Sequence, residues 1–174
     1  MVKGNVSPKL TVPDGISRPE YWLTGQPAES PSRIKAYSAN EIPKLRKSAR
    51  LARKILEYAL KMAVPGMSLD YVDRLAHKAM VDCLCYPSPL NYYGFPKSIC
   101  TSVNEVACHG IPDDYILKDG DIIKIDVSLY HDGYHGDNCG TVVVGENPDP
   151  KLIRLIDVTK EAVQKAIAVC EPGR

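Results

Sequence analysis

No stretch of this 174-residue chain reaches the roughly 18 consecutive apolar residues that a membrane-spanning helix needs, so a transmembrane helix is not expected within it. Charge of one sign is also missing: 22 basic side chains stand against 21 acidic ones, a balance that does not call for nucleic acid. The opening MVKGNVSPKL lacks both the apolar region of a secretory signal and a long Arg/Ser-rich amphipathic stretch. Regular cysteine spacing is absent too. Cys83, Cys85, Cys100, Cys108, Cys139 and Cys170 read as the reduced thiols of an intracellular protein, and Cys83-x-Cys85 alone is weak evidence of a metal site.

What is present is 44% hydrophobic content, enough for one globular domain with its own core. Pro8, Pro13, Pro19, Pro27 and Pro31 exclude helix and central strand from residues 1–37, which read as an extended arm over a folded body, anchored by Tyr21-Trp22-Leu23. The body, residues 38–174, opens at SANE, where Ser38 and Glu41 have capping-box spacing. Leu45, Ala49, Ala52, Leu56 and Ala59 then recur at helical spacing up to Pro65-Gly66. Ser68 caps a second helix with Leu69, Val72, Leu75, Ala76 and Ala79 inward, and the Lys and Arg residues of both helices read as solvated surface. A final helix is expected from about Pro150 to Cys170, with Leu152, Ile156, Val163 and Ile167 on one side.

Between these helices, DIIKIDVSLYH and YHGDNCGTVVVG flank Asp132-Gly133, the loop signature of a type I′ hairpin. Helices alternating with antiparallel strands give an α+β class. A two-residue loop makes His131 face Tyr134, Ser128 face Asp137 and Asp126 face Cys139. Asp126 and Asp137 are then diagonal neighbours on one side of the sheet, with Cα atoms roughly 7–8 Å apart. Two such carboxylates repel each other and resist desolvation unless they are exposed or share a cation. The pattern alone fits either a solvent-facing sheet with two ordinary acids or a metal site.

The block YPSPLNYYGFPKSICTSVNEVACHGIPD followed by GDIIKIDVSLYHDGYHGD resembles the type I methionine aminopeptidases, with the similarity running from about Val6 to the chain end. The resemblance implies the N-terminal half of a pita-bread (creatinase/aminopeptidase-like) fold, whose two related halves enclose two divalent metal ions, and removal of the initiator methionine from nascent proteins. It implies that Asp126 binds one metal and Asp137 bridges both. Oxygen ligands with imidazole suit Co, Mn, Fe or Zn, and water held between two such ions can attack a peptide carbonyl. His109 in CHGIP corresponds to the histidine that contacts the scissile amide, as catalytic and substrate-binding residue. Tyr92, Phe95 and Cys100 correspond to the pocket for the methionine side chain, although the same aromatics would suit a core.

Two departures stand out. Lys124 replaces a usual Asn at a position associated with a monovalent cation, and Asn138-Cys139-Gly140 changes the usual sequence after Asp137. The family site also needs a histidine and two glutamates further downstream, whereas the sequence ends at Arg174; the parallel of AVPG with CEPG reads as a second repeat cut at its hinge. The 174-residue chain alone is therefore expected to be inactive. The implied partners are N-terminal Met peptides of nascent proteins and the ribosome, with no direct nucleic-acid binding and no membrane. The implied location is cytoplasm or mitochondrion, and an arm without zinc-finger cysteines leans to the organellar branch. The alternatives are a non-catalytic binding module or truncated isoform acting through a protein partner, against which Asp126, Asp137 and His109 speak, and, last, an X-Pro dipeptidase.

Overall fold

A computed structural model describes residues 3–29 and 33–173; Pro31 of the arm lies outside the described residues. Helix α1 (Ile42–Met62) starts one turn after Ser38, and only half of a capping box forms. Glu41 reaches back to the Ser38 N–H at 2.9 Å, but the Ser38 hydroxyl donates to the same carboxylate instead of capping the helix. The buried stripe is Ser48, Ala52, Ile55, Leu56 and Ala59, rotated from the expected one; Ala49 is exposed. Ser48 belongs inside because its hydroxyl donates to the Lys44 and His131 carbonyls, at 3.3 and 3.2 Å. Helix α2 (Leu69–Asp82) begins as expected, with Ser68 Oγ accepting from the Tyr71 N–H at 3.1 Å. Its inward face carries Asp73 and His77 beside Leu69, Val72, Ala76 and Met80.

Four antiparallel strands form one sheet: β1 (Tyr86–Pro87), β2 (Cys100–Val103), β3 (Ile122–His131) and β4 (Tyr134–Val143). The central strand is β3, with β1 and β2 end to end on one edge and β4 on the other. Ile123, Ile125, Val127 and Leu129 alternate along β3 and are fully buried in the core shared with α1 and α2. On β4, Gly136 lets α1 come close, since a Cβ there would lie 2.3 Å from the Ser48 carbonyl oxygen. Helix α3 (Pro150–Ala168) departs from expectation: Ile156 is its buried residue, and Val163 and Ile167 face solvent. All six cysteines are free thiols, and among the described residues no helix is long and apolar enough to cross a membrane.

Residues 3–29 lie along the body through polar contacts far apart in sequence. Lys97, wholly buried, donates to Ser7 Oγ at 2.7 Å and to Asp70, and lies 4.0 Å from Asp73. Burial alone would raise the Asp70 carboxyl, but hydrogen bonds from Lys97, Ser7 and Arg74 together hold it at about 2. Asp73 is pushed up to about 6 by burial, against the pull of the Ser98 and Ile99 N–H groups. His77 Nε2 faces the Thr11 carbonyl at 3.0 Å and so must carry the proton; Nδ1 then accepts from the Ser98 hydroxyl at 2.8 Å. Of the expected anchor, Tyr21 is buried and Leu23 is 69% exposed.

Burial lowers the His77 pKa below its ordinary 6.5, against a small opposite effect of the Thr11 carbonyl. The unfolded chain therefore takes up this proton first as pH falls, and stability present above about pH 6.5 is lost below it. His77→Gln keeps one donor and one acceptor without titrating. The urea midpoint of the wild type should fall relative to His77→Gln between about pH 7 and pH 5; parallel curves would refute the assignment.

Candidate metal and substrate cleft

The hairpin turn has φ of 52° at Asp132 and 92° at Gly133, as a type I′ turn requires. Its register pairs His131 with Tyr134, Ser128 with Asp137 and Asp126 with Cys139, as the loop length predicts. Asp126 and Asp137 therefore share the sheet face opposite the helices. Across the other edge of β3, Asp126 faces Cys100. Ser128 Oγ donates to Asp137 Oδ1 at 2.5 Å, fixing that carboxylate from below. Asp126 is held above the ordinary carboxyl value, first by burial and then by the Asp137 charge, with Lys124 pulling the other way. Such a strained pair of acids is relieved by a cation.

His109 reaches the same space from the loop after β2. Its φ is 54°, unusual for a side chain with a Cβ, and the hold comes from the next residue. Gly110 zips onto β2: its carbonyl accepts from the Thr101 N–H at 2.9 Å, and its own N–H donates to Ser102 Oγ at 3.3 Å. A Cβ at position 110 would lie 2.1 Å from the Thr101 carbonyl oxygen, so only glycine fits. Lys124 adds a tether, its ammonium donating to the Ala107 carbonyl at 2.8 Å.

One cleft of about 670 Å³ is lined by Tyr92, Phe95, Cys100, His109, Asp126 and Asp137 together. Burial, then the nearby Asp126 and Asp137 charges, push the Cys100 thiol up to about 12, so it remains a neutral apolar surface. Among the further lining residues that sequence reasoning missed are the polar or titratable Glu20, Tyr21, Ser88 and His135. His135 had a signal, because it lies two residues before Asp137 and so shares its face of β4. Its Nδ1 is 2.8 Å from Ser88 Oγ, and its pKa is lowered by burial despite Glu20 and Asp137. Glu20 and Tyr21 come from the arm and had no local signal. No group of three or more His, Cys, Asp or Glu side chains suited to a metal gathers among the described residues.

Comparison with known proteins decides the family. Residues 43–174 match the model of metallopeptidase family M24. The chain belongs to metallopeptidase family M24. This M24 chain is 47% identical over 173 residues to methionine aminopeptidase 1D, mitochondrial, of Dictyostelium discoideum, a match covering 98% of the chain and 42% of that protein. It is 46% identical over 170 residues to methionine aminopeptidase 1D, chloroplastic/mitochondrial, of Arabidopsis thaliana, covering 98% of the chain and 48% of that protein. The crystal structure of methionine aminopeptidase from Rickettsia prowazekii aligns with a TM-score of 0.74 at 41% identity, over 76% of this chain and 53% of that one. The chain is thus a homologue of the type I methionine aminopeptidases with the α+β architecture of part of the pita-bread fold. It spans about half the length of the curated relatives it matches.

Gly110→Ala should displace the His109 loop from β2 and cost on the order of 1–3 kcal/mol through overpacking. A lower urea midpoint with faster exchange of the Thr101 amide is expected. An unchanged midpoint would show that the loop yields freely.

Proposed function

We propose that this M24 chain contributes to a metal-dependent aminopeptidase that removes the initiator methionine from nascent proteins, with residues 38–174 as the first half of its catalytic domain and residues 1–37 as an N-terminal arm. The observation that carries the reading is convergence: six side chains, spread from Tyr92 to Asp137, line a single cleft. The Asp126–Asp137 pair fits divalent cations, being two adjacent oxygen donors, one of which is held above its ordinary value partly by the other's charge. These two carboxylates would hold Co, Mn, Fe or Zn together with donors beyond the described residues. Ions bound there would supply activation of water towards a peptide carbonyl.

The chain's own residues do the rest. Ser128 holds Asp137 through its 2.5 Å hydrogen bond, which keeps that carboxylate facing the cleft. His109, fixed on the left-handed turn before Gly110, is the donor positioned for the scissile amide and for the charge that develops on its oxygen. Tyr92, Phe95 and the neutral Cys100 thiol form an apolar wall for a flexible thioether. N-terminal Met peptides leaving the ribosome are the substrates, in the cytoplasm or the mitochondrion.

By calorimetry, the 174-residue chain should bind Mn²⁺ or Co²⁺ with a Kd on the order of millimolar or weaker, because two carboxylates alone are a poor donor set. It should release no methionine from Met-Ala-Ser. The full-length protein containing it should release methionine in a metal-dependent manner, with Asp137→Asn lowering the rate by about 10³-fold or more, or ~4 kcal/mol. Release that survives both chelation and Asp137→Asn would overturn the reading.

A further inference from the structure

We propose that the arm segment from Glu20 to Pro27 is a specificity element of the cleft, which positions Tyr92 and thereby sets selectivity for a long, unbranched apolar first residue. This rests on the reading of the cleft as an aminopeptidase site. The Tyr92 loop carries two left-handed residues that are not glycine, Asn91 at φ 66° and Tyr93 at φ 46°. Such backbone persists only when its surroundings over-determine it. The arm supplies that hold. The Tyr93 N–H donates to the Gly25 carbonyl at 2.8 Å, the Asn91 side-chain amide donates to the Trp22 carbonyl at 3.0 Å, and Lys9 Nζ donates to Asn91 Oδ1 at 2.5 Å. Gly25 permits this closeness, since a Cβ there would lie 3.0 Å from the Asn91 carbonyl oxygen at a φ of +73°.

Tyr21 completes the clamp from inside. Its ring is 4% exposed and meets Tyr92 edge-on at 5.1 Å between centroids. Its ring also lies nearly parallel to that of His135 at 6.3 Å and belongs to a buried cluster with Ile16, Tyr86 and Leu90, and its hydroxyl donates to the Ser88 carbonyl at 2.7 Å. Ser88 Oγ in turn meets His135 Nδ1 at 2.8 Å, so one buried tyrosine touches both the Tyr92 wall and the strand that carries Asp137. Tyr21 is a positioning residue: it acts through Tyr92 and His135. Removing it should widen the apolar wall and leave the carboxylates unaltered, a change that binding of the first side chain reads and bond breaking does not.

The test compares Tyr21→Ala, Tyr21→Phe and Asn91→Gly in the Mn²⁺-loaded full-length protein, on Met-Ala-Ser against Leu-Ala-Ser. Asn91→Gly keeps the left-handed backbone and removes only the side-chain tether, so it carries the test should Tyr21→Ala fold poorly. Both variants should lower the Met-to-Leu ratio of kcat/KM about tenfold, chiefly through KM, and Tyr21→Phe, which keeps the ring, should restore it to within about twofold. A general loss of structure would lower both substrates equally and leave the ratio unchanged, which overturns the proposal. If the unsubstituted protein releases no methionine, the aminopeptidase reading and the selectivity role fall together. The clamp itself is then judged on the 174-residue chain, where Asn91→Gly should speed exchange of the Tyr93 amide about tenfold and an unchanged rate refutes it.

Discussion

Everything in the cleft depends on the register between β3 and β4. A slip of one residue would turn Asp126 and Ser128 into the helix layer and bring Ile125 and Val127 out. Burying a large aliphatic side chain is worth about 1.5–3 kcal/mol, and four on β3 are fully buried, so the apolar face outweighs any gain from a shifted pairing. The turn agrees with this choice, because Asp132 and Gly133 both adopt positive φ. Helix α1 locks the same register from behind, through the bare backbone at Gly136 and the close approach of Leu60 to Gly140. Carboxylates on one face are thus placed by hydrocarbon on the other.

The molecule meets two crowded acid pairs in different ways. Beside α2, Asp70 and Asp73 share the buried ammonium of Lys97, and Asp70 sits at about 2 with the help of Ser7 and Arg74. On the hairpin, Asp126 and Asp137 face an open cleft, and the ammonium that acts on Asp126, that of Lys124, is engaged by the Ala107 carbonyl. Asp126 is held up by burial and by the Asp137 charge, whereas Asp73, also raised by burial, is drawn back by the Lys97 charge. A charge the fold neutralises internally serves structure, whereas one left facing solvent space is available to a ligand.

Legibility followed the range of the interactions. The hairpin pairs could be counted from a two-residue loop, and Ser68 and Pro65-Gly66 marked the ends of the helices, because those signals lie within a few residues. The α1 stripe was misjudged at Ala49 and Ser48, since a serine is buried when it finds distant acceptors, here the His131 carbonyl. Val163 and Ile167 carry helical periodicity without burial, because periodicity names a face and not what covers it. His135 could have been found from its period-two relation to Asp137. The family motifs pointed to the residues of the cleft, but spacing alone left the two aspartates open between surface acids and a site.

The arm was the least readable part, for a physical reason. Its proline content excludes regular structure and says nothing of where the chain goes. Its position comes from pairings such as Ser7 with Lys97, Thr11 with His77 and Gly25 with Tyr93, made by groups 66 to 90 residues apart where side chains are involved. Three left-handed residues that are not glycine, Asn91, Tyr93 and His109, lie in the two loops that border the cleft, and each costs on the order of 1–2 kcal/mol. Local sequence would not choose those conformations. They exist because the arm on one side and β2 on the other hold both loops at once, so the shape of the cleft is a property of the assembled chain.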